Sequence, residues 1–167
     1  MRIMVLCDID GVLANCTHRL HYALKEKNFD KYYDDEEVAK DTLIFPGYEL
    51  IDLFRRSGAE IHFVTSRNER CREATAKWLR EEALIKSSIV AMRNENDFRP
   101  SPIVKVELIQ ELFDELAKRN AGFLTTQDMH STYFIDDDPA NVKTVCEAYP
   151  SITGIVFGIE RMEKEQK

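Results

Sequence analysis

Apolar residues along this chain fall into two kinds of pattern. "IMVLC" (3–7), "EIHFVT" (60–65), "SIVAM" (88–92), "TYFI" (132–135) and "TGIVF" (153–157) are short, dense apolar runs of strand length. Between them the apolar positions spread to helical spacing, in "PGYELIDLFRRSG" (46–58), "ERCREATAKWLREE" (69–82) and "IVKVELIQELFDELAKR" (103–119). The helix boundaries carry their own chemistry. Pro46 opens the first helix and Gly58 closes it. Ser101-Pro102 predicts an N-cap followed by proline at the first helical position, and Asp138-Pro139 predicts a second such start. Strands separated by helices of this length predict an α/β fold with a central parallel sheet, whose ligands bind beyond the carboxyl ends of the strands.

The segment 14–45 departs from the alternation. It is polar and aromatic ("THRLHYALKEKNFDKYYDD"), it falls between the first strand and the first core helix, and it predicts a small, partly helical cap. The 167 residues fit one domain carrying that insertion. No apolar run approaches the roughly 20 residues of a membrane span. The short N-terminal run is broken by Asp8, unlike a signal peptide, so a cytoplasmic protein is expected. Cys7, Cys16, Cys71 and Cys146 form no Cys-x-x-Cys pair, which argues against a zinc or redox site and for buried or incidental thiols. Nothing in the sequence marks a protein partner.

Net charge is −7, which disfavours broad nucleic-acid binding. Residues 66–105 nevertheless carry nine Lys/Arg against six Asp/Glu. A local positive zone suits an anionic substrate. Arg67, Arg72 and Arg93 follow strand ends there, where guanidinium groups bind phosphate or pair with nearby acids.

The candidate chemistry lies at the strand ends. Asp8 and Asp10 follow the first strand, Thr65 and Ser66 end the second, Asp136 and Asp137 follow the fourth, and Lys105 lies early in the helix opened by Ser101. One parallel sheet can bring these groups to one edge. Crowded carboxylates raise one another's pKa unless a cation neutralises them, and an oxygen-rich set of this kind suits Mg²⁺. Asp8 then fits a carboxylate nucleophile, and Asp10 a general acid and base. Thr65 and Lys105 fit groups that hold the phosphoryl oxygens. Gly11 permits a sharp turn beneath them.

Plainer readings compete. Asp138 has a sufficient role as a helix N-cap, and Ser66 with Glu69 could form a capping box. Lys105 taken alone reads as a surface lysine, Trp78 as core, and His18 and His21 as surface polar groups. The spacing after Asp10 excludes an EF-hand, and no P-loop is present.

Taken in order, "DIDGVL", "VTSR", Lys105 and "IDDD" resemble the four motifs of the haloacid dehalogenase superfamily of phosphatases. The resemblance implies a Rossmann-like three-layer sandwich with a minimal cap. It also implies a metal held by Asp8, the backbone carbonyl of Asp10, and Asp136, with Asp137 nearby. An acid at position 10 implies a phosphatase and not a dehalogenase. "TSRNERCREATAKWL" followed by "MRNENDFRPSPIVK" resembles the 3′-phosphatase domain of phage polynucleotide kinases, on Arg72, Thr75, Trp78, Met92, Arg93, Arg99 and Pro100. Only the phosphatase half is implied, and Asp138 stands where that family often has arginine. The expectation is a Mg²⁺-dependent phosphomonoesterase acting through an aspartyl-phosphate on nucleic-acid 3′-phosphate ends or nucleotides. The alternatives are a phosphatase of small metabolites and a catalytically silent phosphate- or partner-binding module.

Overall fold

The computed structural model describes residues 3–85, 89–119 and 131–158. Five strands form one parallel sheet: β1 (Ile3–Cys7), β4 (Glu60–Asn68), β5 (Val90–Arg93), β6 (Ser131–Asp136) and β7 (Ile152–Val156), ordered β5-β4-β1-β6-β7. Two short strands, β2 (Ala14–Asn15) and β3 (Thr42–Leu43), pair antiparallel apart from it. Of the apolar run at 88–92, residue 88 lies outside the described residues.

Side-chain alternation sorts the sheet into two faces. Val5, Cys7, Ile61, Phe63 and Ile135 pack on one face with Ile51 of α4 (Phe45–Arg56) and Trp78 and Leu79 of α5 (Arg72–Glu81). Met4, Leu6, Val64 and Phe134 pack on the other with α6 (Ser101–Arg119) and α7 (Pro139–Ala148). The result is a three-layer α/β sandwich. No helix among the described residues is long and apolar enough to cross a membrane.

The strand order decides where a ligand can bind. Successive strands run outward from β1 on one side (β4, β5) and then on the other (β6, β7), so the order reverses between β1 and β6. Their carboxyl ends flank the crevice that such a reversal opens. Cys7 pairs with Ile135, and Asp8 N–H donates to the Ile135 carbonyl at 2.8 Å, which sets Asp8 beside Asp136.

Three short helices, α1 (Leu20–Leu24), α2 (Phe29–Tyr32) and α3 (Asp35–Val38), fill the stretch between β2 and β3. The two-stranded ribbon closes the base of this cap. Gly47 lets α4 press on the preceding turn, since a Cβ there would lie 1.8 Å from the Val12 carbonyl oxygen.

Several helix starts differ in detail from the sequence pattern. Helix α6 begins one residue early: Ile103 and Val104 N–H donate to the Pro100 carbonyl, so Pro100 and not Ser101 sits at the cap position. No capping box forms at Ser66, because β4 continues to Asn68, whose side chain accepts from Arg70 N–H. Asp138 does cap α7, accepting from Ala140 N–H at 2.8 Å.

Candidate active site

At the β1 terminus the chain turns tightly. Leu13 and Ala14 N–H both donate to the Ile9 carbonyl, and Gly11 takes φ +78°, a left-handed conformation that glycine adopts without strain. A Cβ at Gly11 would lie 2.0 Å from the Asp137 carboxylate, so this turn and the β6 terminus close on each other.

Asp8 is 7% exposed, and its Oδ1 accepts from Ile9 N–H at 2.8 Å. The fully buried ammonium of Lys105 lies 2.6 Å from Asp8 Oδ2 and also pairs with Asp136. Asp136 Oδ1 accepts from Asp138 N–H and from Asn141 Nδ2. Burial pushes the Asp8 carboxyl up to about 7, with Asp136 and Asp10 adding to the rise and Lys105 opposing it. Burial disfavours the charged form of Lys105, yet Asp8 and Asp136 outweigh this and keep its pKa above the ordinary lysine value.

Asp10 belongs to a second, adjoining network. Arg67 donates to both of its carboxylate oxygens through Nε at 3.2 Å and to Oδ1 through Nη2 at 2.6 Å. Arg19 Nη2 donates to the same Oδ1 at 3.0 Å. Behind them the fully buried Asp41 carboxylate accepts from Arg19 at 2.8 and 2.9 Å and from Arg67 at 2.5 Å. Trp78 Nε1 donates to the Asp41 carbonyl at 2.8 Å, fastening the cap to α5. Burial works against ionising Asp10, but Arg67 and Arg19 prevail and hold its carboxyl below the ordinary value.

Irregular pairing positions Arg67. Thr65 pairs with Met92, and the next pair is Asn68 with Arg93, so the register shifts across Ser66 and Arg67. Such bulges re-aim side chains. Here the Arg67 guanidinium meets Asp10, Asp41 and the Thr75 hydroxyl.

The two networks meet at a cleft of about 820 Å³. Asp8, Asp10 and Asp137 line it on the sheet side, and Cys16, Leu20 and Tyr32 of the cap segment line it opposite.

The residues present fit a divalent cation on two counts. One carboxylate oxygen from each of Asp8, Asp136 and Asp137 lies within 4.8 Å of the others. Asn141, also lining the cleft, has a buried Oδ1 with no hydrogen-bond partner among the described residues. A buried oxygen left in that state suits a bound water or an ion's hydration shell.

The other residues singled out by sequence take different places. Thr65 is buried, and its hydroxyl accepts from Arg67 N–H at 3.2 Å. Ser66 Oγ shares a hydrogen bond with Ser101 Oγ at 2.5 Å. Arg72 pairs with Glu69 at 2.5 Å and donates to the Val90 carbonyl. Arg93 donates to the carbonyls of Ser66, Asp97 and Arg99. Arg72 and Arg93 therefore have protein partners where the sequence pattern suggests a substrate phosphate, and neither lines the cleft. His18 meets the Glu37 carbonyl, and His21 that of His18. Sequence reasoning missed Arg19, Asp41 and Asn141. The first two lie in the polar cap stretch, where no period marks a residue as buried.

Comparisons with known proteins place this geometry. No curated protein matches the chain. Among solved structures, a chain of the Pnkp1/Rnl/Hen1 RNA repair complex superposes with TM-score 0.64 at 20% identity, over 93% of this chain and 42% of that one. This chain thus spans less than half of that relative's length. A hydrolase from Streptococcus pneumoniae superposes with TM-score 0.54 at 14% identity, covering 93% of this chain and 92% of the other. A haloacid dehalogenase family enzyme from Bacteroides thetaiotaomicron, solved with magnesium and inorganic phosphate, gives 0.51 at 15% identity over 98% of both chains. At these identities the likeness establishes the fold. The family described as the polynucleotide kinase PNKP phosphatase domain matches residues 2–117, well over half of the sequence. This chain therefore belongs to the PNKP phosphatase domain family, built on the haloacid dehalogenase fold.

Proposed function

We propose that the protein is a Mg²⁺-dependent phosphomonoesterase that forms an aspartyl-phosphate on Asp8 and acts on nucleic-acid 3′-phosphate ends. The observation that carries this reading is the pairing of Asp8 with the buried Lys105 ammonium at 2.6 Å, with Asp10 two residues on and separately braced.

Asp8 Oδ attacks phosphorus, and the bond from phosphorus to the leaving oxygen breaks. Asp10 gives that oxygen a proton. It then takes one from the water that attacks the aspartyl-phosphate, which releases phosphate, frees the Asp8 carboxylate and returns Asp10 to its protonated form. Arg19 and Arg67 favour the ionised Asp10 that the second step needs. The first step needs its protonated form, and a substrate phosphate dianion beside it would raise its pKa toward that state. Lys105 balances charge on the nucleophile and the transferring group. Asp8, Asp136, Asp137 and the Asp10 carbonyl would hold Mg²⁺, which when bound neutralises the phosphoryl oxygens. Thr65 and Ser66 enter as hydroxyl groups on the substrate side. Arg72 and Arg93 enter as braces of the strand ends around it.

The nucleic-acid assignment is drawn from the matched family and from the relatives solved as an RNA repair complex. Chelation should stop hydrolysis, and added Mg²⁺ should restore it. The same addition should raise Tm without substrate, because a ligand at 100 times its Kd stabilises by about 2.7 kcal/mol. Full hydrolysis after chelation, with no thermal shift on adding Mg²⁺, would contradict the proposal.

A further inference from the structure

The loop between β5 and α6 holds Phe98 at 86% exposure, more than any other large apolar side chain among the described residues. Yet this loop is well braced. Arg93 donates to the Asp97 and Arg99 carbonyls at 3.2 and 2.6 Å and to the Ser66 carbonyl at 3.2 Å. Asp97 Oδ1 accepts from both the Arg99 N–H and its side-chain Nε at 3.0 Å. Arg99 also pairs with Glu107 of α6. Ties to β4, β5 and α6 hold the backbone on both sides of Phe98, and its ring faces water.

Its location links it to the chemistry. The loop leaves the carboxyl end of β5, the sheet edge that carries Asp8 and Asp136. Three residues after Phe98, Ser101 bonds to Ser66, and one helical turn later Lys105 reaches Asp8. Chain geometry then puts Phe98 within about 17 Å of Lys105, Cα to Cα: three extended residues and one turn of helix. That is within reach of the first few nucleotides behind a phosphate held at Asp8. The ring lines an open groove of about 660 Å³ together with the exposed Asn94 and Asn96 and the Asp97–Arg99 ion pair.

We propose that Phe98 is a stacking platform for a nucleobase of the strand whose 3′-phosphate enters the Asp8 cleft. This rests on the nucleic-acid reading above. Every base has a π face, so an aromatic platform grips a strand without regard to sequence. It also supplies affinity that needs no surplus of positive charge, which suits a chain of net charge −7. The amides of Asn94 and Asn96 offer donors and acceptors to a base edge beside the ring.

The test uses the wild type, Phe98→Ala and Phe98→Tyr on a 3′-phosphorylated single-stranded oligonucleotide. A matched set carries an abasic residue at each of the first few positions. Phe98→Ala should raise KM about tenfold with little change in kcat, whereas Phe98→Tyr should keep the wild-type KM. At one abasic position the wild type should show the same raised KM, and the difference between wild type and Phe98→Ala should vanish. An unchanged KM in Phe98→Ala, or losses that stay additive at every abasic position, overturns the platform. The wild type's own preference for the oligonucleotide over 4-nitrophenyl phosphate separates the two ideas. With that preference present, an unchanged KM in Phe98→Ala sinks the platform alone. Without it, both the nucleic-acid reading and the platform fail.

Discussion

Asp8→Asn should lower kcat by on the order of 10⁴-fold or more, since losing a nucleophile removes the step that all others serve. The amide keeps the shape of the carboxylate, including an oxygen to accept from Ile9 N–H. It cannot supply the attacking oxygen. The fold should survive, for a reason visible in the site. In the metal-free protein burial pushes the Asp8 carboxyl up to about 7. An acid whose folded pKa is raised contributes fully below its unfolded value of about 4, and that contribution is lost as pH rises toward 7. A neutral amide escapes this loss. Asp8→Asn takes one of two carboxylates from the buried Lys105 ammonium, which keeps Asp136, so the metal-free protein should stay folded and its Tm should fall less than the wild type's as pH rises from about 4 toward 7. Thermal melts at several pH values and a single-turnover assay check both halves. Wild-type turnover in this variant would refute the assignment of Asp8.

Asp41→Ala should destabilise the protein by about 3–5 kcal/mol, the range for breaking a buried ion pair and stranding its partners. Arg19 and Arg67 are both fully buried and share Asp41 and Asp10 as counter-charges. Without Asp41, two guanidinium groups are left on one carboxylate. For a chain of this size the Tm should fall by roughly 6–20 °C. Activity in the folded fraction should fall as well, because the two arginines that hold Asp10 lose the second carboxylate that positions them. The network also has an acid limit. Asp10 is held below the ordinary carboxyl value, so its contribution is complete at neutral pH and is lost as pH drops below about 4 and through the lowered native value. A Tm within about 2 °C of wild type would show that Asp41 does not carry this load.

The sheet was legible because its strands are short apolar runs separated by helices long enough to cross back. The carboxyl-end position of Asp8 and Asp136 follows from that alternation alone, since Asp8 comes directly after β1 and Asp136 ends β6. What escaped the sequence is of another kind. Asp41 and Arg19 look like surface residues in a polar stretch, and only tertiary pairing of opposite charges makes their burial tolerable. The direction of Arg67 depends on a register shift in β4, which leaves no mark in composition or period. Ser66 offered a plausible cap, but continued pairing with β5 carried the strand through Asn68. A net positive charge over residues 66–105 did not foretell free cations, because Arg67, Arg72, Arg93 and Arg99 each find partners within the protein.

The central claim is a phosphatase directed at 3′-phosphate ends of nucleic acid. Its most direct test is kcat/KM of the Mg²⁺-loaded protein on three substrates under one set of conditions: a 3′-phosphorylated oligonucleotide, the same sequence phosphorylated at its 5′ end, and a sugar phosphate. The 3′-phosphorylated strand should give the highest value, at least about tenfold above either competitor, as expected if even one stacked base contributes. A sugar phosphate hydrolysed as efficiently as the 3′-phosphorylated strand would contradict the claim and mark the protein as a phosphatase of small metabolites.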